Sequence, residues 1–326
     1  MTGISRRSLL AAAAGLPCSA ALAQSSPAVF PSRPITIVVP FPPGGATDLM
    51  ARTIAQRFTS AWGQPVTIDN KPGAGGMLAA AHVAKAATDG HTLLFGATAQ
   101  LAVNPSLYAS VPYDVARDFA PIALVGSVPN ILVSHPSVPL TRLADLIQAA
   151  KLEPGKLSYA SPGSGSTAHL SMELFKGETG VDIVHVPYKG AAGGVNDILG
   201  NQVPLMIVSM PSVVNHVKAG RLVGLGVTDL RRSPALPNVP TFAELLPGFE
   251  ATGWYGLVAP AKTSPTIVNM LNTEVLAALQ DAEVRRAFET QGLRILGGTP
   301  DQFSSHIQSE SRKWAAVITN ARIKAN

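Results

Sequence analysis

The chain has 326 residues, of which 46% are hydrophobic and 14% charged, and its formal net charge at pH 7 is +5. A chain of this length and composition can bury a core large enough for two domains, which excludes a disordered protein. Its basic residues are scattered, without the basic stripe and interleaved aromatics that a nucleic-acid-binding surface requires. We therefore expect no nucleic-acid partner.

The N-terminus predicts an export signal over residues 1–23. Arg6 and Arg7 precede an alanine-rich apolar run, and small residues lead to a cleavage site after Ala23. We therefore expect a periplasmic protein, exported either by the twin-arginine route, which the arginine pair favours, or by the general route. The apolar run at 9–22 is too short for a comfortable transmembrane span.

Cys18, the only cysteine, lies inside this segment. A lipoprotein signal would use it as the acylated residue, but Pro17 stands where a small residue is wanted. Cleavage after Ala23 leaves a mature chain with no disulfide and no thiol nucleophile. It also leaves 23 basic and 20 acidic residues, a mild positive charge that favours anionic ligands slightly.

The stretch at residues 35–48, ITIVVPFPPGGATD, combines a strand, a glycine turn and a helix start. Residues 35–39 are an apolar, β-branched run, and apolar residues recur at helical spacing from Ala46 onwards. The first N–H groups of a helix have no intrahelical partner and lie at the positive end of its dipole. The turn therefore predicts an anion site, or an ordinary strand-to-helix turn that binds only water.

The pattern of strand, loop and helix then repeats. Strands are predicted at 66–68 and 91–95, a glycine-rich loop and helix at 70–85, and a further loop at 96–100. Strands that alternate with helices indicate a parallel sheet, whose ligands gather beyond the carboxyl ends of the strands. We expect the turn at 44–48 and the loop at 97–100 to lie on one edge of that sheet.

Residues 122–133 are nearly continuous strand material, which we interpret as a crossing into a second domain. A new strand and helix series follows, and its first turn, SPGSGST at 161–167, repeats the opening motif with hydroxyl groups added. Thr141 is the predicted N-cap of the helix at 142–151. The remaining predicted elements are strands at 157–160, 182–186, 203–208 and 222–227, and helices at 168–176 and 212–219.

Residues 253–260 form a second long strand-like segment, which carries the chain back to the first domain. The rest is helical, with helix starts at Ser264, at Asp281 and at the capping box 299–302. The sequence thus predicts an α/β protein of two lobes joined by two hinge strands. We assign 33–128 and 254–326 to the first lobe, and 129–253 to the second.

The segment GSGSTA at 163–168 matches the dinucleotide fingerprint G-x-G-x-x-A, but its context does not. That fingerprint needs an acidic residue at the end of the next strand, whereas Asp182 stands at the start of that strand. No phosphate-binding loop motif occurs either. The seven histidines show no metal-ligand spacing, so we predict neither cofactor nor metal; they are residues 82, 91, 135, 169, 185, 216 and 306.

Four motifs in consistent order resemble the Bug (TctC-like) family, the periplasmic substrate-binding receptors of tripartite tricarboxylate transporters. They are PFPPGGATD at 40–48, NKPGAGG at 70–76, ASPGSGSTAHL at 160–170 and HVPYKG at 185–190. The resemblance implies a periplasmic-binding-protein fold of type II, the Venus-flytrap kind. It also implies that turns of both lobes hold a small carboxylate through main-chain N–H groups and bridging waters, and that the protein serves a membrane transporter component.

Carried onto this sequence, the resemblance and the turns give one set of candidate ligand-binding residues and an expected monomer. The candidates are Phe41, Gly44, Gly45, Ala46, Thr47, Asp48, Ala97, Thr98, Ser161, Gly163, Ser164, Gly165, Ser166, Thr167, His169 and Tyr188. The alternative is an exported α/β enzyme that uses Asp48, His169 or Ser166 in catalysis. Trp254 and Tyr255 either line the cleft or pack the second hinge strand.

Overall fold

The computed structural model describes residues 30–44, 46–290 and 292–325. The predicted export signal at 1–23 and Gly45 lie outside these residues, as does the side chain of Ala46. Within the described residues, the strands are β1 (Ile35–Val39), β2 (Val66–Asn70), β3 (Thr92–Ala97), β4 (Phe119–Val128), β5 (Asn130–Ser134), β6 (Ser158–Ser161), β7 (Val184–Pro187), β8 (Leu205–Ser209), β9 (Val223–Val227), β10 (Gly253–Pro260) and β11 (Arg294–Ile295).

The helices connect and cover these strands. They are α1 (Ala46–Trp62), α2 (Met77–Ala84), α3 (Asn104–Leu107), α4 (Val115–Asp118), α5 (Leu143–Leu152), α6 (Thr167–Thr179), α7 (Ala191–Leu199), α8 (Val214–Lys218), α9 (Pro265–Gln280), α10 (Ala282–Thr290) and α11 (Pro300–Asn320). Short 3-10 segments lie at Ala74–Gly76, Met210–Ser212 and Phe242–Glu244, and a π-helical segment at Ala99–Val103.

The strands of the described residues form two sheets. The first sheet has the order β11-β4-β10-β3-β1-β2, with β1 parallel to β2 and β3, and β10 antiparallel to β3 and β4. The second has the order β7-β6-β8-β5-β9, with β6 parallel to β7 and β8, and β5 antiparallel to β8 and β9. The parallel part of each sheet is the part that the alternation of strands and helices predicts.

Two crossings join the sheets. Pro129 separates β4 from β5, and since proline has no N–H to donate, it ends the ladder of the first sheet. The second crossing is the segment between β9 and β10. Thr228 Oγ1 donates to the Ala251 carbonyl at 2.8 Å and accepts from the Asn130 N–H at 3.0 Å, so the two crossings are tied together.

The register places all the turns of interest at the junction between the sheets. Ala97 at the end of β3 pairs with Tyr255, and Val128 at the end of β4 pairs with Gly253. In the second sheet, Asn130 at the start of β5 pairs with Ser209 at the end of β8. The carboxyl ends of β1 and β3 therefore face the carboxyl ends of β6 and β8 across the crossings.

Helix caps show where local sequence reasoning succeeded. Ser264 accepts from the Ile267 N–H at 3.3 Å, and Thr299 with Gln302 forms the predicted capping box of α11. The prediction for Thr141 is wrong, because α5 begins at Leu143 and its N-cap, Arg142, makes no side-chain cap hydrogen bond. The Thr141 hydroxyl instead donates to Asp145 at 3.2 Å. The Thr141 hydroxyl, which was predicted to cap the helix, therefore binds the Asp145 carboxylate instead.

Candidate functional site

The turns after β3 and β6 meet at the junction. Leu107, in α3 after β3, lies against Gly165, since a Cβ atom at Gly165 would lie 2.3 Å from Leu107 Cδ2. Gly165 also has φ of +75°, so this position combines a left-handed backbone with a close approach from the other sheet. Beside it, a Cβ at Gly253 would lie 3.6 Å from Thr167 Oγ1. The turns after β3 and β6 therefore meet at the junction, beside the start of β10.

The turn after β1 is held by one carboxylate. Asp48, in the first turn of α1, accepts from the Gly44 N–H at 3.0 Å and from Arg52 Nε at 2.9 Å. Its other oxygen accepts from Asn70 Nδ2 at 2.9 Å, and the same amide donates to the Phe41 carbonyl at 3.0 Å. The Gly44 N–H, a predicted ligand donor, is therefore already used inside the turn.

Asp48 is 4% exposed. Burial opposes ionisation of this carboxyl, but the hydrogen bonds from Arg52, Gly44 and Asn70 outweigh it and hold its pKa below the usual value. The group is therefore a carboxylate at neutral pH with its acceptor positions occupied. This geometry makes Asp48 a positioning group for the turn and leaves it poorly placed to act as a general base.

Thr47, Ala97 and Thr98 also make internal contacts. The Thr47 side chain hydrogen-bonds with the Tyr255 hydroxyl, whose pKa is raised by burial. The Ala97 N–H donates to Gln100 Oε1 at 3.0 Å. Thr98 Oγ1 accepts from the Trp254 N–H at 2.8 Å and donates to the Trp254 carbonyl at 3.3 Å. These residues tie the loop after β3, and the start of α1, to β10.

Trp254 belongs to the packing of β10. It is 1% exposed and meets Phe303 edge to face at 5.8 Å between ring centroids. Its indole N–H donates to Glu310 at 2.9 Å, and Trp314 donates to the same carboxylate at 2.9 Å. Of the two interpretations of Trp254, the structure favours packing of the hinge strand by α11.

The turn after β6 is held by neutral groups. Ser161 Oγ accepts from the Gly163 N–H at 3.1 Å, and Ser166 Oγ donates to the Gly163 carbonyl at 2.7 Å. Ser166 is also the N-cap of α6, accepting from the His169 N–H at 3.2 Å. The amides of Thr167 and Ala168 open the helix, where backbone N–H groups have no intrahelical acceptor.

Two stacked histidines support this turn. His169 Nδ1 accepts from the Gly165 N–H at 3.0 Å, and His185 Nε2 lies 2.6 Å from Ser161 Oγ. The two rings stack with centroids 3.8 Å apart, and Glu173 Oε1 lies 3.9 Å from His169 Nε2. Because His169 accepts at Nδ1, its ring is neutral with the proton on Nε2.

The surroundings of the pair keep both rings neutral. Burial is the main cause, and it lowers the pKa of His169 to about 3 and that of His185 to about 4. The charge of Lys176 lowers both pKa values further, while Glu173 opposes the shift at His185. Glu173 is itself bound by Lys176 at 2.8 Å and by the Tyr159 hydroxyl at 2.8 Å.

Tyr188 borders the turn mainly through its backbone. Its N–H donates to the Ser161 carbonyl at 3.0 Å, and a Cβ at Gly163 would lie 3.1 Å from its carbonyl oxygen. Its hydroxyl donates to Asp197 at 2.6 Å, a bond that raises the pKa of Tyr188 to about 12, with burial adding to the effect. Ser164 lies in the same turn and has an interaction partner.

Sequence reasoning missed four residues that shape the site: Arg52, Asn70, Leu107 and His185. Asn70 lies within the quoted motif at 70–76, and His185 begins the motif at 185–190, so the motifs pointed to both. Arg52 stands four residues after Asp48 on α1, a spacing at which helical side chains meet. Leu107 gave no sequence signal, since its contact with Gly165 depends on how the sheets face each other.

The described residues offer neither a metal cluster nor a membrane-spanning helix. No group of three or more His, Cys, Asp or Glu side chains is arranged there to hold a metal ion. No described helix is long and apolar enough to cross a membrane.

The fold has two α/β sheets that two crossings join, with glycine turns from both sheets at the junction. These features define the class of two-lobed solute-binding proteins. The chain belongs to the family described as "Tripartite tricarboxylate transporter family receptor", which it matches over residues 50–323. This confirms the resemblance to Bug receptors and the predicted fold class. Proteins of this family are periplasmic receptors for solutes.

Three similar proteins show the range of the likeness. Protein BugT of Bordetella pertussis is 43% identical over 299 residues, covering 90% of this chain and 92% of BugT. A Rhodopseudomonas palustris protein solved with adipate is 40% identical, with a TM-score of 0.78 and coverage of 90% of this chain and 99% of that one. MatC of the same organism, with bound malate, is 33% identical, with a TM-score of 0.74 and coverage of 89% and 100%.

Proposed function

We propose that this protein is a periplasmic receptor that binds a small organic carboxylate between its two lobes. In this proposal the chain is exported by its N-terminal signal, acts as a monomer, and delivers the carboxylate to a membrane component of a tripartite tricarboxylate transporter. Family membership supports the receptor class, and the adipate and malate in the two relatives support the ligand class. In this proposal the first lobe comprises residues 33–128 and 254–326, and the second lobe comprises residues 129–253.

The observation that carries the proposal is the construction of the turn at 161–169. Its own serine and histidine side chains fix the turn, which lies against Leu107 at Gly165. The first amides of α6 have no intrahelical acceptor. Neutral donors at the positive end of a helix dipole are suited to a carboxylate. They also need no salt bridge, so release costs less than breaking a buried ion pair.

The first lobe contributes differently in this proposal. The Gly44 N–H is bound to Asp48, so the donors that remain at the start of α1 are the amides of Ala46 and Thr47. The described cation nearest this turn, Arg52, is paired with Asp48 at 2.9 Å. We therefore assign the ligand carboxylate to the second-lobe turn, with the first lobe closing over it through its glycine turn and the loop after β3.

The rival function is an exported enzyme. Its candidate groups Asp48, His169 and Ser166 each hold a neighbouring backbone N–H in the structure. Ser161 and His185 do form a close serine–histidine pair, but Ser161 is fully buried and accepts from the Gly163 N–H. A nucleophile must reach its substrate, and this pair is inside the lobe. The geometry therefore favours a receptor.

A panel of mono-, di- and tricarboxylates tests the proposal. Thermal unfolding and product analysis are followed in the same samples, because a receptor is stabilised by its ligand and returns it unchanged. A ligand at one hundred times its Kd would stabilise the folded state by about 2.7 kcal/mol. Conversion of any panel member to product would favour the enzyme, and a panel with no stabilising member would contradict the carboxylate receptor.

A pair of double variants locates the binding. Ser166→Ala with Thr167→Ala should lower the stabilisation by the best panel member. Ser60→Ala with Thr290→Ala removes two exposed hydroxyl-bearing side chains outside the site and should leave the stabilisation unchanged. Equal ligand stabilisation in both double variants would show that the carboxylate binds elsewhere.

A further inference from the structure

A cavity lies between the two halves of the chain, away from the glycine turns. It has a volume of about 450 Å³ and is lined by Pro129, by the segment 229–235 that follows β9, by Arg285 and Glu289 of α10, and by the segment 292–295 around β11. We call it the rear groove. Its volume lies in the range of small-molecule sites, about 300–1,000 Å³.

The strand order places the rear groove on the opposite side of the crossings from the glycine turns. In the first sheet, β4 and β10 separate β11 from β3 and β1. In the second sheet, β5 separates β9 from β8 and β6. Contacts agree with this order, since Leu107 after β3 meets Gly165 after β6, and Arg294 of β11 meets Asp229 after β9.

The chemistry of the rear groove is that of an anion site. Four arginines line it, namely residues 231, 232, 285 and 294, against the two acidic residues Asp229 and Glu289. Arg294 binds Asp229 at 2.8 Å and Glu250 at 3.1 Å, and Arg232 binds Glu244 at 2.6 Å. Within the described residues, Arg231 forms no ion pair, and the nearest carboxylate to Arg285 is Glu289 at 4.0 Å. Two guanidinium groups are therefore available to an anion.

Arg294 forms part of the groove wall. Its Nε is buried and has no hydrogen-bond partner among the described residues, and its other two guanidinium nitrogens bind Asp229 and Glu250. The apolar side chains of Leu293 and Ile295 line the same groove, so it could bury the carbon skeleton of a ligand as well as its charge.

We infer that the rear groove is a second binding site, for a small polycarboxylate held by Arg231 and Arg285. It is separate from the carboxylate site between the glycine turns. Guanidinium groups bind carboxylates through paired, charge-assisted hydrogen bonds, which suits a ligand with more than one carboxylate.

The position of the groove couples it to the front of the molecule, a step that rests on the proposed function. In this structure the front loops are in contact while the groove is present at the rear. If the lobes pivot about the crossings, a rotation that separates Leu107 from Gly165 compresses the rear side, where Arg294 and Asp229 are already in contact, and narrows the groove. A ligand that fills the groove therefore favours closed lobes, and by linkage the front ligand strengthens binding at the rear.

Thermal unfolding of the full-length mature chain with citrate, at constant ionic strength, tests the site directly. Arg231→Gln with Arg285→Gln removes the two available guanidinium groups, both on exposed residues, and should weaken citrate binding by about tenfold or more. The control Arg221→Gln with Arg286→Gln removes the same charge from exposed positions outside the groove. Ser166→Ala with Thr167→Ala reports on binding at the front.

The rear site is supported if citrate stabilises the wild type, the control and the front variant, and fails to stabilise the groove variant. If citrate stabilises the groove variant but not the front variant, the rear site is overturned, because citrate would then bind only at the front site. An equal effect in all variants, or none in the wild type, would overturn it as well. Citrate bound at both sites would lower the stabilisation in the groove variant and in the front variant relative to the control, which would also support the rear site.

Calorimetric titration with adipate tests the coupling. Saturating citrate should tighten adipate binding to the wild type by about threefold to tenfold and leave the groove variant unchanged. Unaltered adipate affinity in the wild type would overturn the coupling. If the wild type does not bind adipate, the best ligand of the carboxylate panel takes its place in this titration, and the unfolding experiment still decides on the rear site.

Discussion

The turns after β1 and after β6 perform the same local task with opposite electrostatics. Each ends a parallel strand and opens a helix at the junction of the sheets. The first is held by the ionised carboxylate of Asp48, which binds Gly44, Arg52 and Asn70. The second is held by hydroxyl groups and two neutral histidines. One turn thus carries a negative charge within its first helical turn, and the other carries none.

This difference indicates which turn attracts an anion more strongly. Asp48 compensates the positive end of the α1 dipole, so a ligand carboxylate there meets a like charge. Ser166, Thr167 and the neutral His169 leave the dipole of α6 uncompensated. We therefore expect the second turn to provide most of the binding and the first to provide shape and closure. The predictions below test that division.

The largest effect is expected for Asp48→Ala. The substitution leaves the Gly44 N–H and the Asn70 amide without their acceptor, so we expect a loss of about 3 kcal/mol in the free energy of unfolding. Asp48→Asn keeps one acceptor oxygen and should lose less. Denaturant unfolding measures both. A free energy of unfolding unchanged in Asp48→Ala would show that another contact holds the first turn.

The pH dependence of stability separates the two turns. The lowered pKa of Asp48 means that its contribution is complete above its ordinary pKa of 3.8 and is lost as the pH falls through the lowered value. His169 has an ordinary pKa of 6.5 and a folded pKa of about 3. Between these two pH values only the unfolded chain binds the proton. The free energy of unfolding therefore decreases by about 1.4 kcal/mol for each unit by which the pH is lowered.

His169→Asn tests this assignment, because its side-chain oxygen can still accept from the Gly165 N–H but does not titrate. Denaturant unfolding between pH 6 and pH 4 should show a shallower loss of stability in this variant than in the wild type. The control is His82→Asn, which removes an exposed histidine outside the turn. Equal slopes in the wild type and His169→Asn would mean that His169 does not hold the second turn as a neutral acceptor.

The next effect concerns ligand affinity. Ser166 Oγ is bound to the Gly163 carbonyl and the His169 N–H, so Ser166→Ala loosens the turn that orients the first amides of α6, and Thr167→Ala removes a hydroxyl beside them. A hydrogen bond to a charged group contributes roughly 1.5–3 kcal/mol, so disturbing these donors should weaken carboxylate binding by about tenfold or more. Small-angle scattering with saturating ligand should also show less compaction, because the second lobe has fewer contacts that favour closure. If the double variant bound the ligand with wild-type affinity and compacted fully, the turn would serve only as a helix cap.

Local sequence signals predicted much of the fold. The β-branched run at 35–39, the glycine turns and the capping box at Thr299 each act within a few residues, so they were readable without tertiary information. The strand predicted from Asp182 begins instead at Val184, because its pairing with Ser158 of the neighbouring strand sets its start. Sheet register is a tertiary property, and the sequence around one strand does not contain it.

The site was predicted as a set of segments, but not as a network. The turns at 41–48 and 161–169 were both expected, whereas the bonds from Asn70 to Asp48 and from His185 to Ser161 join residues 22 and 24 positions apart. Such contacts follow from parallel pairing of β1 with β2 and of β6 with β7. The Gly44 N–H differs, because its partner Asp48 lies only four residues further along the chain.

The smallest effect is expected for Tyr188→Phe, which tests the edge of the second turn. The Tyr188 hydroxyl is bound to Asp197 at 2.6 Å, while its backbone N–H holds the Ser161 carbonyl. Phenylalanine keeps the backbone bond and the ring that lies against Gly194. We therefore expect carboxylate affinity to change by less than about twofold, because the deleted hydroxyl is engaged with Asp197 and the charge-assisted bonds to the ligand come from the turn itself. Calorimetric titration measures this, with Tyr188→Ala as the contrasting variant that also removes the ring. A tenfold loss in Tyr188→Phe would mean that the hydroxyl leaves Asp197 to bind the ligand, and the second turn would then share its role with the strand beside it.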